Sequence, residues 1–193
     1  MNKVVLKTAL ITIAALAAAA LIVFSMWLLI SPQTMATSCE KTGNYSFAVT
    51  CADLRYKYTG DAGDLARCAE DGILSGKDKH ILNYCEKLTL HDDFGKICAA
   101  KDEALSGGVY GEHTGEYRAY IFGHLAAAQC RAGDIDKAVS SAKAGGELAY
   151  VKPVIEILER ADKSAAEKFL SALREEGQTE RVKNLIDILE KIA

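Results

Sequence analysis

The sequence predicts an all-α protein in which one N-terminal transmembrane helix precedes an array of antiparallel helix hairpins. Three observations predict this fold class. The segment Thr8–Ile30 is apolar and uncharged, the whole chain contains only two prolines, and apolar residues in the domain recur at the i, i+3, i+4, i+7 spacing of half-buried helices. We therefore expect three parts: a short N-terminus (residues 1–7), a membrane span (8–30) and one helical domain (35–193).

The segment Thr8–Ile30 is long enough to cross a bilayer. Its 23 residues reach about 34 Å as an α-helix, and a hydrocarbon core is about 30 Å thick. Trp27 lies near its C-terminal end, where an indole favours the membrane–water interface, and Ser31-Pro32 predicts the end of the helix. The lipid bilayer is the expected partner of this segment.

Cleavage of the segment is the alternative. A signal peptide has an apolar region of about 7–15 residues before a small-residue cleavage site. Thr34-Met35-Ala36 satisfies the second condition, but the apolar run is too long for the first. A lipoprotein site is disfavoured because Ala36 stands where a Leu-like residue would precede Cys39. We prefer an uncleaved anchor and keep a helical bundle secreted after cleavage as the alternative.

The charges beside the span predict its orientation. Lys3 and Lys7 precede it, whereas Lys41 follows it and is offset by Glu40. The positive-inside rule then places residues 1–7 in the cytoplasm and the domain outside. The expected location is the plasma membrane, as a single-pass protein of a bacterial cell envelope.

Apolar stripes at helical spacing predict the helices of the domain. Nine stripes begin at Phe47, Leu65, Ile81, Phe94, Tyr117, Ile135, Val151, Ala166 and Val182. Each stripe is short, so we expect many short helices that pack against one another.

The turns between these helices share a pattern. Gly43-Asn44 is followed by Ala48, and Gly133-Asp134 is followed by Ala138. The glycine is expected in the left-handed conformation that ends one helix, Asn or Asp is expected to cap the next, and alanine lets the two helices lie close together. Looser forms of the same turn begin at Gly76 and Gly177. Four such turns predict four antiparallel helix hairpins.

These segments resemble the tetratricopeptide-repeat superfamily. The resemblance rests on Ser38–Tyr58 (SCEKTGNYSFAVTCADLRYKY) and Gln129–Ala144 (QCRAGDIDKAVSSAKA), which match the turn and second helix of that repeat. Gly43 and Gly76 are 33 residues apart, close to the repeat length of about 34. The next two intervals are 57 and 44 residues, and a Gly-rich loop at Ser106–Gly115 interrupts the period. The resemblance implies a degenerate α-solenoid, and a generic helical bundle explains the same stripes.

The six cysteines predict packing rather than chemistry. None forms the C-x-x-C pair of a zinc or redox site. Cysteine on an apolar stripe acts as a small hydrophobic residue. Four cysteines lie on such stripes: Cys51, Cys68, Cys85 and Cys98. Outside the cell, packed helices would also bring some thiols together, so one or more disulfides is the alternative.

No metal, cofactor or catalytic site is predicted. His91-Asp92-Asp93 is typical of a helix start, and Glu112-His113 lies just before a helix, so neither favours a metal. The sequence contains no nucleotide-binding, serine hydrolase or zinc protease motif. Its net charge is −3 and it has no basic run, which disfavours nucleic acid as a partner.

The sequence therefore predicts a membrane-anchored interaction or scaffold module without catalysis, whose partner is an unidentified protein or peptide. By resemblance to tetratricopeptide-repeat proteins, the inner helices would supply the contacts, which places Cys39, Cys68 and the helix Tyr117–Ala128 near the partner surface. The candidate contact residues are Tyr117, Tyr120 and His124. The alternative function is an envelope enzyme with a thiol or metal site, which requires a cysteine with a lowered pKa.

Overall fold

A computed structural model describes residues 3–106 and 116–193. The predicted all-α class is confirmed, because the described residues form eleven α-helices and a short 3₁₀ turn at Glu147–Tyr150. The helices are α1 (Lys3–Ile30), α2 (Pro32–Lys41), α3 (Tyr45–Thr59), α4 (Ala62–Leu74), α5 (Asp78–Thr89), α6 (Phe94–Ser106), α7 (Glu116–Arg131), α8 (Ile135–Gly145), α9 (Val151–Arg160), α10 (Lys163–Glu175) and α11 (Glu180–Leu189). The predicted Gly-rich loop lies outside the described residues, apart from Ser106 at the end of α6.

Helix α1 is long and apolar enough to cross a membrane over Lys7–Leu28. Its side chains from Lys7 to Trp27 are exposed in the isolated chain. A helix of this kind at the N-terminus is either a membrane anchor or a signal sequence.

Helix α2 follows α1 after a single residue, Ser31. Pro32 occupies its first turn, a position where proline is favoured because its fixed φ suits the helix and its missing N–H is not needed. Met35 and Ala36 of α2 are buried with Cys51 of α3, and Leu28 of α1 packs against the same cluster. The proline therefore ends α1 as predicted but also begins the next helix.

The four predicted helix pairs are in contact: α2 with α3, α4 with α5, α7 with α8, and α10 with α11. In the first three, the turn glycine is left-handed, with φ of +74° at Gly43, +65° at Gly76 and +82° at Gly133. Ala48 and Ala138 are fully buried. Small side chains at these positions let each second helix approach the first closely.

The expectation for Gly177 is wrong. This glycine is not among the residues with positive φ, and α10 ends instead with Glu176 in an extended conformation. The connection to α11 covers Glu176–Thr179, so its length removes the need for a left-handed residue. Thr179 caps α11 by accepting a hydrogen bond from the Val182 N–H at 3.2 Å.

Two further turn features differ from expectation. Asn44 and Asp134 occupy the N-cap positions of α3 and α8, but neither side chain accepts a capping hydrogen bond. Asp134 pairs with Lys137 at 3.0 Å instead. An unpredicted turn joins α3 to α4, where Gly60 is left-handed (φ +64°) and the Asp61 carboxylate caps α4.

Helix α7 connects two hydrophobic cores. Ile121 and Leu125 of α7 belong to the first core, which fills the space among α3 to α7. Ala126 and Cys130 belong to the second, which extends through α8 to α11. Packing is mostly sequential along the chain, but α7 contacts α5, α8, α9 and the 3₁₀ turn. A central helix of this kind departs from a regular repeat, in which each unit touches only its neighbours.

The C-terminus of α7 is fixed by two ion pairs. The Arg131 guanidinium contacts Asp78 of α5 at 2.6 Å and Glu156 of α9 at 2.8 Å. Arginine suits this position because its planar group presents several donors in fixed directions. The same residue therefore joins the two halves of the domain.

Candidate interaction groove

Two adjoining concavities lie along the outer face of α7 and share Tyr120. We call them together the α7 groove. The first has a volume of about 500 Å³ and the second about 290 Å³. The groove is lined by Glu70 and Leu74 of α4, Lys101 and Ala104 of α6, Glu116, Tyr117, Ala119, Tyr120 and His124 of α7, Leu148 of the 3₁₀ turn, and Val151 and Lys152 of α9.

Tyr117 forms the floor of the first concavity. Its hydroxyl donates a hydrogen bond to Glu70 Oε1 at 2.8 Å, and Lys101 Nζ lies 2.7 Å from the same oxygen. The ammonium group also lies 5.6 Å from the centre of the Tyr117 ring, within cation–π range. Burial and the neighbouring Glu70 carboxylate raise the pKa of the Tyr117 hydroxyl. Tyr117 is thus a fixed, neutral support for the groove.

Tyr120 and Leu74 present the apolar surface of the groove. Their side chains are 37% and 55% exposed. The Tyr120 ring meets the His124 ring edge-on, with centroids 4.8 Å apart, and this contact orients both rings. Burial raises the pKa of Tyr120 to about 12. The centre of the groove therefore offers a preformed aromatic and aliphatic surface.

His124 is uncharged at neutral pH. Burial, together with the positive charges of Lys152 and Arg131, lowers the pKa of its imidazole to about 4. A neutral imidazole beside Tyr120 leaves the charges of the groove at its rim, on residues such as Glu70, Lys101 and Lys152. This distribution suits an apolar or aromatic side chain at the centre and polar contacts at the edge.

The structure brings the three predicted contact residues onto one face of α7. Tyr117 and Tyr120 have ring centroids 6.4 Å apart, and Tyr120 contacts His124. Only Tyr120 is substantially exposed, because Tyr117 lies at the floor. Leu74, Leu148 and Val151 complete the groove from other elements. Sequence reasoning missed them because only the tertiary packing brings them beside α7.

The two cysteines predicted near the partner surface do not line the α7 groove. Cys68 is fully buried in the first core, and Cys39 lies at the end of α2, outside the α7 groove. Five of the six cysteines are buried and Cys39 is partly exposed. The expected packing role of Cys51, Cys68, Cys85 and Cys98 is consistent with this burial.

Burial also governs the chemistry of the thiols. It raises the pKa of every cysteine, to about 11 at Cys51 and about 12 at Cys85 and Cys130. A catalytic thiol requires the opposite change. Among the residues that the structure describes, no group of three or more His, Cys, Asp or Glu side chains is arranged to hold a metal.

The two histidine motifs have different outcomes. His91 Nδ1 accepts a hydrogen bond from the Asp93 N–H at 3.2 Å, immediately before α6 begins at Phe94. This arrangement agrees with the interpretation of His91-Asp92-Asp93 as a helix start. Glu112-His113 lies outside the described residues.

A buried carboxyl group in α4 was not predicted. Asp71 is 3% exposed, and its Oδ2 atom has no hydrogen-bond partner in the described part of the chain. Burial and the neighbouring carboxylate of Glu40 raise the pKa of Asp71 to about 7, although Arg67 opposes the change. The spacing i, i+4, i+7 joins Asp64, Cys68 and Asp71. This spacing places the two aspartates on the same helix face as the buried Cys68, so the sequence did indicate acidic residues beside the core.

Comparisons with protein-family models, with curated proteins and with solved structures give no match to this chain.

Proposed function

We propose that this protein is a membrane-anchored interaction module that binds a segment of a partner protein in the α7 groove. The observation that carries the proposal is the preformed apolar surface of Tyr120 and Leu74 between charged edges. Aromatic residues in concave sites supply large contact areas at low entropic cost. The expected ligand is a peptide or helix that inserts an apolar or aromatic side chain beside Tyr120.

The close connection of α1 to the domain supports an uncleaved anchor. Cleavage after Ala36 would cut α2 within its buried portion and would remove Met35 from its contact with Cys51. It would also separate Leu28 from the cluster that it covers. Retaining α1 preserves this packing, which favours an anchor over a signal peptide.

The charges at the N-terminus support the proposed orientation. Lys3 and Lys7 precede the span, and the positive-inside rule favours the cytoplasm for them. The domain and its groove would then face the extracytoplasmic side of the plasma membrane. The single residue between α1 and α2 would keep the start of the domain close to the bilayer surface.

A degenerate tetratricopeptide-like arrangement is proposed for the domain. The left-handed glycines at Gly43, Gly76 and Gly133 and the buried Ala48 and Ala138 support it. In that arrangement, the central position of α7 would interrupt the repeat and create the groove. The raised pKa values of the thiols make an envelope thiol enzyme the weaker candidate.

Site-specific photocrosslinking in native membranes tests the proposal. A photoreactive phenylalanine analogue replaces Tyr120, and the matched control carries the same analogue at Tyr58, which is 70% exposed on α3 and lies outside the groove. We expect one discrete crosslinked protein from position 120 and none from position 58. Leu74→Asp in the same chain should abolish the crosslink. Equal crosslinking at both tyrosine positions, or no effect of Leu74→Asp, would contradict a groove-specific partner.

A further inference from the structure

Cys39 and Cys51 lie together at the junction of the first two helices of the domain. Cys39 is in the last turn of α2 and Cys51 is in the second turn of α3. The two thiols are close enough for each to shift the pKa of the other. Cys51 also packs against Met35 and Ala36, one turn before Cys39 on the same helix. The two sulfurs are therefore already adjacent in the folded chain.

We propose that Cys39 and Cys51 form a disulfide that fastens α2 to α3 beside the membrane anchor. The proposal rests on the extracytoplasmic orientation given above, because disulfides persist in oxidising compartments. A disulfide needs its two cysteines on closely packed elements, and α2 packs against α3 with Cys51 beside Ala36, one turn before Cys39. The remaining cysteines lie in two other cores: Cys68, Cys85 and Cys98 in the first and Cys130 in the second.

The different exposure of the two sulfurs sets the order of the reaction. Cys39 is partly exposed, whereas Cys51 is fully buried. The Cys39 thiolate attacks a disulfide of an oxidant, either a protein dithiol oxidase or oxidised glutathione, and expels one thiolate. The Cys51 thiolate then attacks the Cys39 sulfur and expels the second. Two electrons pass to the oxidant, and the protons lost by the two cysteines end on its two released thiols.

The surroundings favour a structural bond over a catalytic one. Burial raises the pKa of Cys39, and the nearby carboxylates of Asp71 and Glu40 add to the effect. Burial likewise raises the pKa of Cys51 to about 11. A small thiolate fraction makes both formation and exchange slow without a catalyst. Once formed, the bond has one sulfur, that of Cys51, shielded from attacking thiols.

Disulfide mapping of the full chain tests the inference. The protein is reduced, purified in detergent and incubated with oxidised glutathione, and free thiols are then alkylated before protease digestion and mass spectrometry. We expect a linked pair of peptides that contain Cys39 and Cys51, lighter than the two reduced peptides by two hydrogen atoms. Cys39→Ser should abolish the linked species, whereas Cys98→Ser, the matched control, should leave it intact. Separate alkylation of Cys39 and Cys51 in the oxidised wild-type protein would overturn the inference.

The state of the pair in cells is measured by alkylating native membranes immediately after acid quenching. Linked peptides that contain Cys39 and Cys51 would support the disulfide in the cell. Separate alkylation of both cysteines would contradict it. The groove crosslink at Tyr120 is a separate measurement on different helices, so failure of the disulfide and failure of the proposed partner site are distinguishable. Because the mapping uses the unmodified chain, its outcome does not depend on how well a cysteine variant folds.

Discussion

Replacing Asp71 by asparagine is expected to stabilise the domain at alkaline pH and to have little effect in acid. Asp71 is 3% exposed and lies beside Glu40, so its ionised form is disfavoured in the folded chain. Asparagine has nearly the same shape, cannot ionise, and still donates a hydrogen bond toward the Glu40 carboxylate. The substitution therefore removes the cost of the charge while it preserves the packing of α4.

The magnitude follows from the raised pKa. A rise of the Asp71 pKa from 3.8 to about 7 in the folded state means that folding disfavours the ionised form, relative to the protonated form, by a free energy of about 4 kcal/mol. The stabilising contribution of the protonated Asp71 is fully present below pH 3.8, decreases as the pH rises, and is lost above about pH 7. Relaxation of the charged groups around Asp71 reduces this difference. We therefore expect the free energy of unfolding of Asp71→Asn to exceed that of the wild type by about 2–4 kcal/mol at alkaline pH.

Urea unfolding of the full chain in detergent micelles, followed by circular dichroism at several pH values, measures this difference. Comparing variant with wild type at each pH removes the pH effects that the two proteins share. Asp64→Asn is the matched control on the same helix, because it removes the ion pair between Asp64 and Arg55, which lie 2.8 Å apart. A pH-independent difference for Asp71→Asn, or a loss of stability at alkaline pH, would refute the reasoning.

Four further substitutions test the packing, the turns and the ion pairs of Arg131. Gly145→Ala should destabilise the domain by about 1–3 kcal/mol in the same unfolding assay, because its new Cβ would lie 2.5 Å from two neighbouring Cβ atoms. Gly133→Ala should lower the free energy of unfolding by about 1–2 kcal/mol because φ at this residue is +82°. Gly177→Ala should be neutral or slightly stabilising because Gly177 does not have positive φ. Equal losses of stability at the two glycines would contradict the assigned turns. Arg131→Gln should cost about 1–3 kcal/mol through loss of both ion pairs, and an unchanged urea midpoint would show that they contribute nothing.

The helices were predictable because their burial is periodic in the sequence. Each apolar stripe maps onto one helix, from Phe47 in α3 to Val182 in α11. Helix α2 was indicated only by the turn at Gly43, because PQTMATSCEK has no continuous apolar stripe and is held mainly by the burial of Met35 and Ala36. Tertiary contacts, rather than local periodicity, stabilise that helix.

The turns were partly predictable. A glycine followed by Asn or Asp correctly indicated left-handed turns at Gly43 and Gly133. The looser pattern, without Asn or Asp directly after the glycine, was correct at Gly76 but failed at Gly177, where the connection is longer. Gly60 was overlooked because its turn has Asp61 as the cap and no alanine at the expected distance. Glycine alone therefore does not distinguish a tight turn from a relaxed one.

The groove was the least predictable feature. The sequence identified Tyr120 as a contact candidate, but its neighbours Leu74 and Leu148 lie 46 residues before it and 28 residues after it. No local pattern joins such distant residues. The position of Asp71 on the buried face of α4 could have been predicted, because it lies one helical turn from Cys68. The extent of its burial could not, because that depends on how α2 packs against α4.

Retention of α1 as one unit with the domain is the central requirement of the proposed function. Measuring the intact mass of the protein extracted from native membranes tests this claim directly. We predict that the full 20.8 kDa chain is recovered from the membrane fraction after washing with alkaline carbonate. Recovery of a shorter, soluble chain that begins after Ala36 would contradict the anchor and would require α2 to lose the packing of Met35.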